Sequence, residues 1–186
     1  MSESGQIKSR KVDLKGLLVE VRACGHCPDL PLGPRPVLSL SPTARLVIAA
    51  QAPGTRVHET GVPFNDPSGD RLREWMGIDR ETFYDAAKIN IIPMGFCYPG
   101  RAPGGGDLPP RPECSRLWHE RIFGAIRPPR LILVIGQYAQ AWHLGKRRQK
   151  NLTGTVREWK SYLPGFLPLP HPSPRNNIWL RRNPWF

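Results

Sequence analysis

Acidic residues are scarce in this chain. Only 15 Asp and Glu stand against 27 Lys and Arg in 186 residues, and none occurs between Leu167 and Phe186. Long apolar runs are absent as well: the longest, such as Leu131–Ile135, are strand-sized, which excludes a membrane-spanning helix. The first eleven residues are polar and basic and lack an apolar h-region, so no secretory signal is expected and a cytoplasmic, bacterial-type setting is. Cysteines number only four, and a disulfide framework is not expected in a chain of this size without a signal peptide. No internal repeat and no domain boundary is visible. Residues 1–11 read as a disordered basic tail and residues 12–186 as one domain, long enough to bury a substantial core. Glycine (18) and proline (22) are abundant, but 39% apolar residues and 6 Trp make them the punctuation of a folded chain. The net charge of +12 points to a polyanionic partner, most economically nucleic acid, while simple solubility gives the same number.

Apolar periodicity divides the chain into alternating elements. Leu14, Leu17, Leu18 and Val21 have helical spacing and run into Cys24-Gly25-His26-Cys27. Leu46–Ala50 reads as a buried strand that empties into Gln51-Ala52-Pro53-Gly54. A short helix carrying Leu72, Trp75 and Met76 follows Pro67-Ser68-Gly69. Ala86–Ile92 is expected as a second strand stopped by Pro93, and 98–112 as a Pro/Gly-rich loop too long for a plain connector. A helix begins near Pro112 and carries Cys114, Leu117, Trp118, Ile122 and Ala125 on one face. Leu131–Ile135 is the third strand, 137–144 a short helix, 146–150 a basic turn and 155–163 a further helix. Leu167–Leu169 makes a fourth strand opening into His171-Pro172-Ser173-Pro174-Arg175-Asn176. Strands alternating with helices predict a three-layer α/β/α sandwich around a mostly parallel four-stranded sheet. In such sheets ligands bind beyond the carboxyl ends of the strands, where the loops beginning at Gln51, Pro93 and His171 gather.

Three segments, in this order and at strand ends, carry a resemblance. Gln51–Gly54, Thr60-Gly61-Val62-Pro63-Phe64 and His171–Asn176 together resemble the uracil-DNA glycosylase superfamily over roughly residues 20–185. The loop Gln51–Gly54 and the cysteine spacing are similar to its iron–sulfur branch. Thr60–Phe64, Asn90-Ile91-Ile92-Pro93-Met94 and His171–Asn176 are closer to its single-strand-selective branch. The resemblance implies a monofunctional enzyme that flips uracil out of DNA and hydrolyses its bond to deoxyribose, leaving an abasic site. Whether other deaminated bases are accepted is left open. A non-catalytic or very slow binder of uracil-containing or abasic DNA is the alternative. A more distant one is an iron–sulfur nucleic-acid-binding factor with only fold-level kinship.

The chemistry assigns roles to residue types. Phe64 is the candidate stacking platform for the flipped base. Asn90 is the candidate reader of the uracil edge, because an amide donates to O4 and accepts from N3–H. His171 is the candidate electrostatic catalyst, its ring N–H aimed at O2 as charge develops there. Gln51, with Ala52, Pro53 and Gly54, lines the expected pocket and holds the water. The chain departs from the family pattern at Ala52, where active relatives carry an acid after the Gln of this loop. No strong general base is therefore visible, and Asp66, His58 and Glu59 are the nearby polar residues available to compensate. Ser173, Pro174 and Arg175 are expected to grip the duplex, with Arg147, Arg148, Lys150, Arg181 and Arg182 as candidate phosphate contacts.

Cys24 and Cys27 form one close pair, whereas Cys97 and Cys114 stand apart. A structural zinc site usually shows two close pairs. Zinc, free thiols and an iron–sulfur set all remain open on spacing alone. The resemblance implies the last: a structural [4Fe–4S] cluster on Cys24, Cys27, Cys97 and Cys114 that pins the N-terminal helix to the Pro-rich loop. No nucleotide cofactor and no magnesium are expected, and the protein is expected to act as a monomer on damaged DNA.

Overall fold

The computed structural model describes residues 13–186, so the expected tail over residues 1–11 lies outside the described residues. Four strands, β1 (Leu46–Ala49), β2 (Ile89–Ile91), β3 (Leu131–Ile135) and β4 (Phe166–Leu169), form one sheet in the order β2-β1-β3-β4. Every pairing is parallel, with Val47 beside Asn90 and Ile132, and Ile135 beside Leu169. All four carboxyl ends therefore fall along one edge.

Strand alternation sorts the side chains into two cores. Val47, Ala49, Ile92, Met94, Ile132 and Val134 face one side, where they meet Leu17 and Val21 of α1 (Leu14–Arg22) and Ile122 of α6 (Glu120–Ala125). Ile48, Ala50, Ile89, Ile91, Leu133 and Ile135 face the other side, against Leu72 of α3 (Pro67–Met76) and Phe83 of α4 (Arg80–Tyr84). The chain is thus the three-layer α/β/α sandwich expected from its periodicity.

The boundaries differ from the expectation where local hydrogen bonding intervenes. β2 starts at Ile89 because the Asp85 side chain accepts from Ala87 N–H, and Lys88 N–H bonds the Asp85 carbonyl, turning 85–88 instead of extending it. The helix expected over 155–163 is α8 (Leu152–Arg157), capped by the Asn151 side chain, followed by a 3₁₀ turn over Trp159–Tyr162. The helix expected from Pro112 is three pieces: a single turn α5 (Pro112–Cys114), a π-helical turn (Ser115–His119) and α6. Two further helices, α2 (Thr55–Thr60) and α9 (Asn177–Arg182), are too short to show apolar periodicity. The remaining helix, α7 (Gly136–Leu144), follows β3 without a loop.

Candidate active site

Loops after the strands line a small, solvent-open cavity of about 50 Å³ at the carboxyl edge. Pro53 follows β1, Pro93 follows β2 and His171 follows β4, and all three line it. Val57 of α2, Phe64, Asp66 and Ser68 complete much of the wall. The lining is mostly apolar, with the three polar side chains of Asp66, Ser68 and His171.

Phe64 has a backbone conformation that bulky side chains avoid, at φ 55°. Three neighbours hold it there. The Phe83 ring meets it edge-on, with centroids 5.9 Å apart. Asp66 caps α3, accepting the Gly69 N–H at 3.0 Å, which fixes the chain two residues on. Gly69 supplies the space: a Cβ there would stand 1.8 Å from the Phe64 carbonyl oxygen and 2.8 Å from its Cβ. Backbone strain is thus concentrated on an aromatic that lines the cavity.

His171 is held by two hydrogen bonds. The Ser173 N–H donates to its Nδ1 at 3.2 Å, and Asn176 donates its amide to the His171 carbonyl at 2.6 Å. A Cβ at Gly136 would lie 3.8 Å from the ring, an ordinary contact. Burial pulls the imidazole below its usual pKa, partly countered by the nearby Asp66 carboxylate. A neutral ring whose Nδ1 accepts carries its proton on Nε2. The loop is also clamped from outside, since the Arg71 guanidinium on α3 donates to the carbonyls of Pro172 and Ser173 at 3.1 and 3.2 Å. Arg71 was not legible as a site residue, because only the fold brings it to a segment 101 positions away.

Asn90 stands elsewhere. Its amide oxygen accepts from Ser41 N–H at 2.6 Å and its amide nitrogen donates to the Ser41 carbonyl at 3.1 Å. The side chain is fully buried and on the sheet face of Val47, whereas its neighbour Ile91 on the opposite face lines the cavity. Its donor and acceptor are both engaged by Ser41 in the segment before β1, and it is not among the residues that line the cavity. In the first pocket loop, Pro53 reaches the cavity lining while Gln51 is tied through its carbonyl to Gly95 N–H and Ala52 is half-buried beside it. Gly54 caps α2. Among the residues expected to compensate for Ala52, Asp66 is in the cavity wall. His58 is buried in α2 with its ring 6.4 Å from that of Tyr98, and Glu59 is exposed.

Ser173, Pro174 and Arg175 form the rim next to His171, the Ser173 hydroxyl capping a 3₁₀ turn over Pro174–Asn176. Arg147, with Arg148 next to it in sequence, lies toward the other end of the sheet. Arg147 stacks over Tyr162 and Phe166 at 5.9 and 5.6 Å, and Phe166 opens β4, about 10 Å before the carboxyl end that leads to His171. Arg181 and Arg182 end α9, exposed.

The cysteines are free thiols. Burial pushes the Cys97 thiol up to about 11 and that of Cys114 to about 12; Cys24 and Cys27 add to the first shift, and all three other cysteines to the second. Cys27 is raised for the same reason, with Arg111 beside it opposing the shift. Four thiols fit an iron–sulfur donor set in kind. Among the described residues, however, no three His, Cys, Asp or Glu side chains are gathered as a metal-holding group.

Fold and site together describe a parallel α/β sheet with a small, aromatic-walled cavity and a neutral histidine at its carboxyl edge. Residues 39–186 match the family model of the Uracil DNA glycosylase superfamily, and the chain belongs to that family. No helix among the described residues is long and apolar enough to cross a membrane.

Proposed function

We propose that the protein is a monofunctional DNA glycosylase that excises uracil, and other deaminated bases of similar shape, by hydrolysis. The observation that carries this reading is His171 in the cavity wall with its Nδ1 occupied by the Ser173 N–H, so that a neutral ring holds its proton on Nε2. In a flipped nucleotide the C1′–N bond breaks as the base takes the electron pair. A preorganised neutral donor at the base oxygen lowers that barrier, by about 10²–10³ in rate for comparable donors. Phe64 stacks on the base, and the Asp66 carboxylate in the wall stabilises the cation-like sugar. Ser173 and Arg175 on the rim hold the phosphates and the gap left in the duplex.

With the Asn90 amide engaged by Ser41, the base edge is read by backbone groups and by His171. Such a pocket selects for shape and leaving-group quality, which supports a base range wider than uracil. The cavity lining holds no lysine, so release leaves an abasic site without strand cleavage. The test is a panel of oligonucleotides bearing uracil, hypoxanthine, xanthine or mispaired thymine, in single and double strands. Alkali-labile sites at uracil and at one or more of the other deaminated bases are expected. Retarded bands with no labile site would assign the protein instead as a binder of damaged DNA, the reading that Ala52 favours.

A structural [4Fe–4S] cluster on Cys24, Cys27, Cys97 and Cys114 is a proposal that rests on the spacing of the cysteines in the sequence, not on a gathered metal-holding group. It would tie the segment after α1 to the loops before and after the Pro-rich stretch and take no part in base chemistry. Iron content and visible absorption of an anaerobic preparation decide it, and a colourless, iron-free protein rejects it.

A further inference from the structure

We propose that Asp107, at the base of the Gly-rich hairpin after β2, is the water-activating carboxylate that position 52 does not supply. The inference rests on the glycosylase reading above and adds one catalytic residue to it. The hairpin is a built structure: Arg101 and Asp107 pair across it, Leu108 N–H bonds the Gly100 carbonyl at 2.8 Å, and Ala102 N–H bonds the Gly106 carbonyl at 2.9 Å. Its tip, Gly104-Gly105-Gly106, turns through two positive-φ glycines. This pairing sends the Asp107 side chain to the first pocket loop, where its Oδ2 lies 3.5 Å from the Cβ position of Gly54. Gly54 follows the cavity-lining Pro53 directly. The carboxylate thus faces the same loop turn that bears Ala52, from the opposite strand of chain.

Three charged groups face Asp107. Arg101 lies across the hairpin, Arg175 comes from the rim, and Asp66 comes from the cavity wall. The Arg175 guanidinium packs so closely on the hairpin that a Cβ at Gly106 would be 2.6 Å from its Nη1. Asp66 in turn influences His171, so Asp107, Asp66 and His171 occupy one electrostatic neighbourhood. The two acids are not equivalent. Asp66 has one oxygen committed to the Gly69 N–H, whereas Asp107 is exposed on one side, where water reaches it. Partial desolvation also raises the Asp107 carboxyl above its usual value despite the two arginines, which makes it a better proton acceptor than an ordinary surface aspartate.

The step balances as hydrolysis. Water attacks C1′ while the C1′–N bond breaks and its electron pair leaves on the base, stabilised by the His171 N–H. The water proton passes to Asp107 and from there to solvent, and the base anion takes a proton from solvent.

The test is the single-turnover rate of uracil release by the full chain at saturating enzyme, for wild type, Asp107→Asn and Asp107→Glu. Asp107→Asn is expected to slow release at least tenfold, in line with general-base contributions of about 10²–10⁴. Its affinity for the uracil duplex should be unchanged or higher, since a negative charge beside Arg175 is removed. Asp107→Glu should recover part of the rate. An Asp107→Asn rate within threefold of wild type overturns this inference alone and leaves the glycosylase reading standing. A slow rate explained by weaker DNA binding overturns it too. A wild-type protein that releases no base from any substrate overturns both.

Discussion

Replacing Gly69 by alanine adds one methyl group to the first turn of α3, next to the residue that shapes the cavity. In a helix interior that exchange usually stabilises by up to about 1 kcal/mol. Here the new Cβ would stand 1.8 Å from the Phe64 carbonyl oxygen, where ordinary contact begins at 3.4 Å, so the Phe64 backbone has to retreat by about 1.6 Å. Overpacking of this kind costs about 1–3 kcal/mol, more than the helical gain. For a chain of this size each kcal/mol lowers the melting temperature by about 2–4 °C, so a drop of a few degrees is expected. The catalytic effect should be larger than the thermal one. Misplacing a positioning group by about 1 Å costs on the order of 10² in rate, so single-turnover uracil release should fall about a hundredfold. Gly124 in α6 is the matched control, since a Cβ there meets nothing within 4 Å. Gly124→Ala should melt at the same temperature or slightly higher, with unchanged base release. A Gly69→Ala protein with wild-type melting and wild-type rate would refute the argument that Gly69 fixes Phe64 and that Phe64 shapes the site.

Other perturbations follow the same logic. Asn90→Asp places a carboxylate against the Ser41 carbonyl that now accepts from the amide. It should destabilise the fold by about 1–3 kcal/mol in urea titrations and leave the ratio of uracil to cytosine release unchanged; an altered base preference would return Asn90 to the pocket. Arg71→Ala frees the carbonyls of Pro172 and Ser173 and should reduce base release about tenfold while far-ultraviolet circular dichroism stays the same, whereas an unaltered rate would make Arg71 dispensable. His119 and His143 are held by burial to pKa values of about 4. The unfolded chain binds protons at both from about pH 6.5 downward and the folded chain does not. Stability is therefore complete above that pH and declines between 6.5 and 4, by about 1.4 kcal/mol per pH unit for each ring. A urea midpoint that stays flat over this window contradicts the burial of the pair.

The sheet was legible because four short apolar runs recur between helical patterns, and burial on both faces of a parallel sheet leaves that signature. The helix starting at Pro112 was legible in extent but not in kind. Its π turn puts His119 under Pro93, with Nε2 3.0 Å from that carbonyl, and no periodicity announces such a turn. At the site, Phe64 and His171 were legible because each stands in a short motif, Phe64 between α2 and α3 and His171 after β4, and both line the cavity. Asn90 shows the limit of that approach. Strand residues alternate in direction, so whether Asn90 or Ile91 faces the pocket depends on which sheet face carries α3, and a run of apolar neighbours does not reveal that. The basic turn is a related case. A run of charges does not say which end of the sheet it adjoins, and the aromatic faces of Tyr162 and Phe166 take the Arg147 guanidinium at the end where β4 begins. Asp107 was hidden inside a Pro/Gly-rich loop whose hairpin pairing appears only in the structure.

The central claim is that a neutral His171, facing a cavity with Phe64 in its wall, drives base release by stabilising the leaving group. Single-turnover release of uracil by wild type and by His171→Ala, at saturating enzyme and pH 7.5, tests it most directly. The account predicts alkali-labile product from wild type and a rate at least a hundredfold lower from the variant, with duplex affinity within a few-fold. Equal rates from the two proteins, or no release by wild type under any condition, would contradict it.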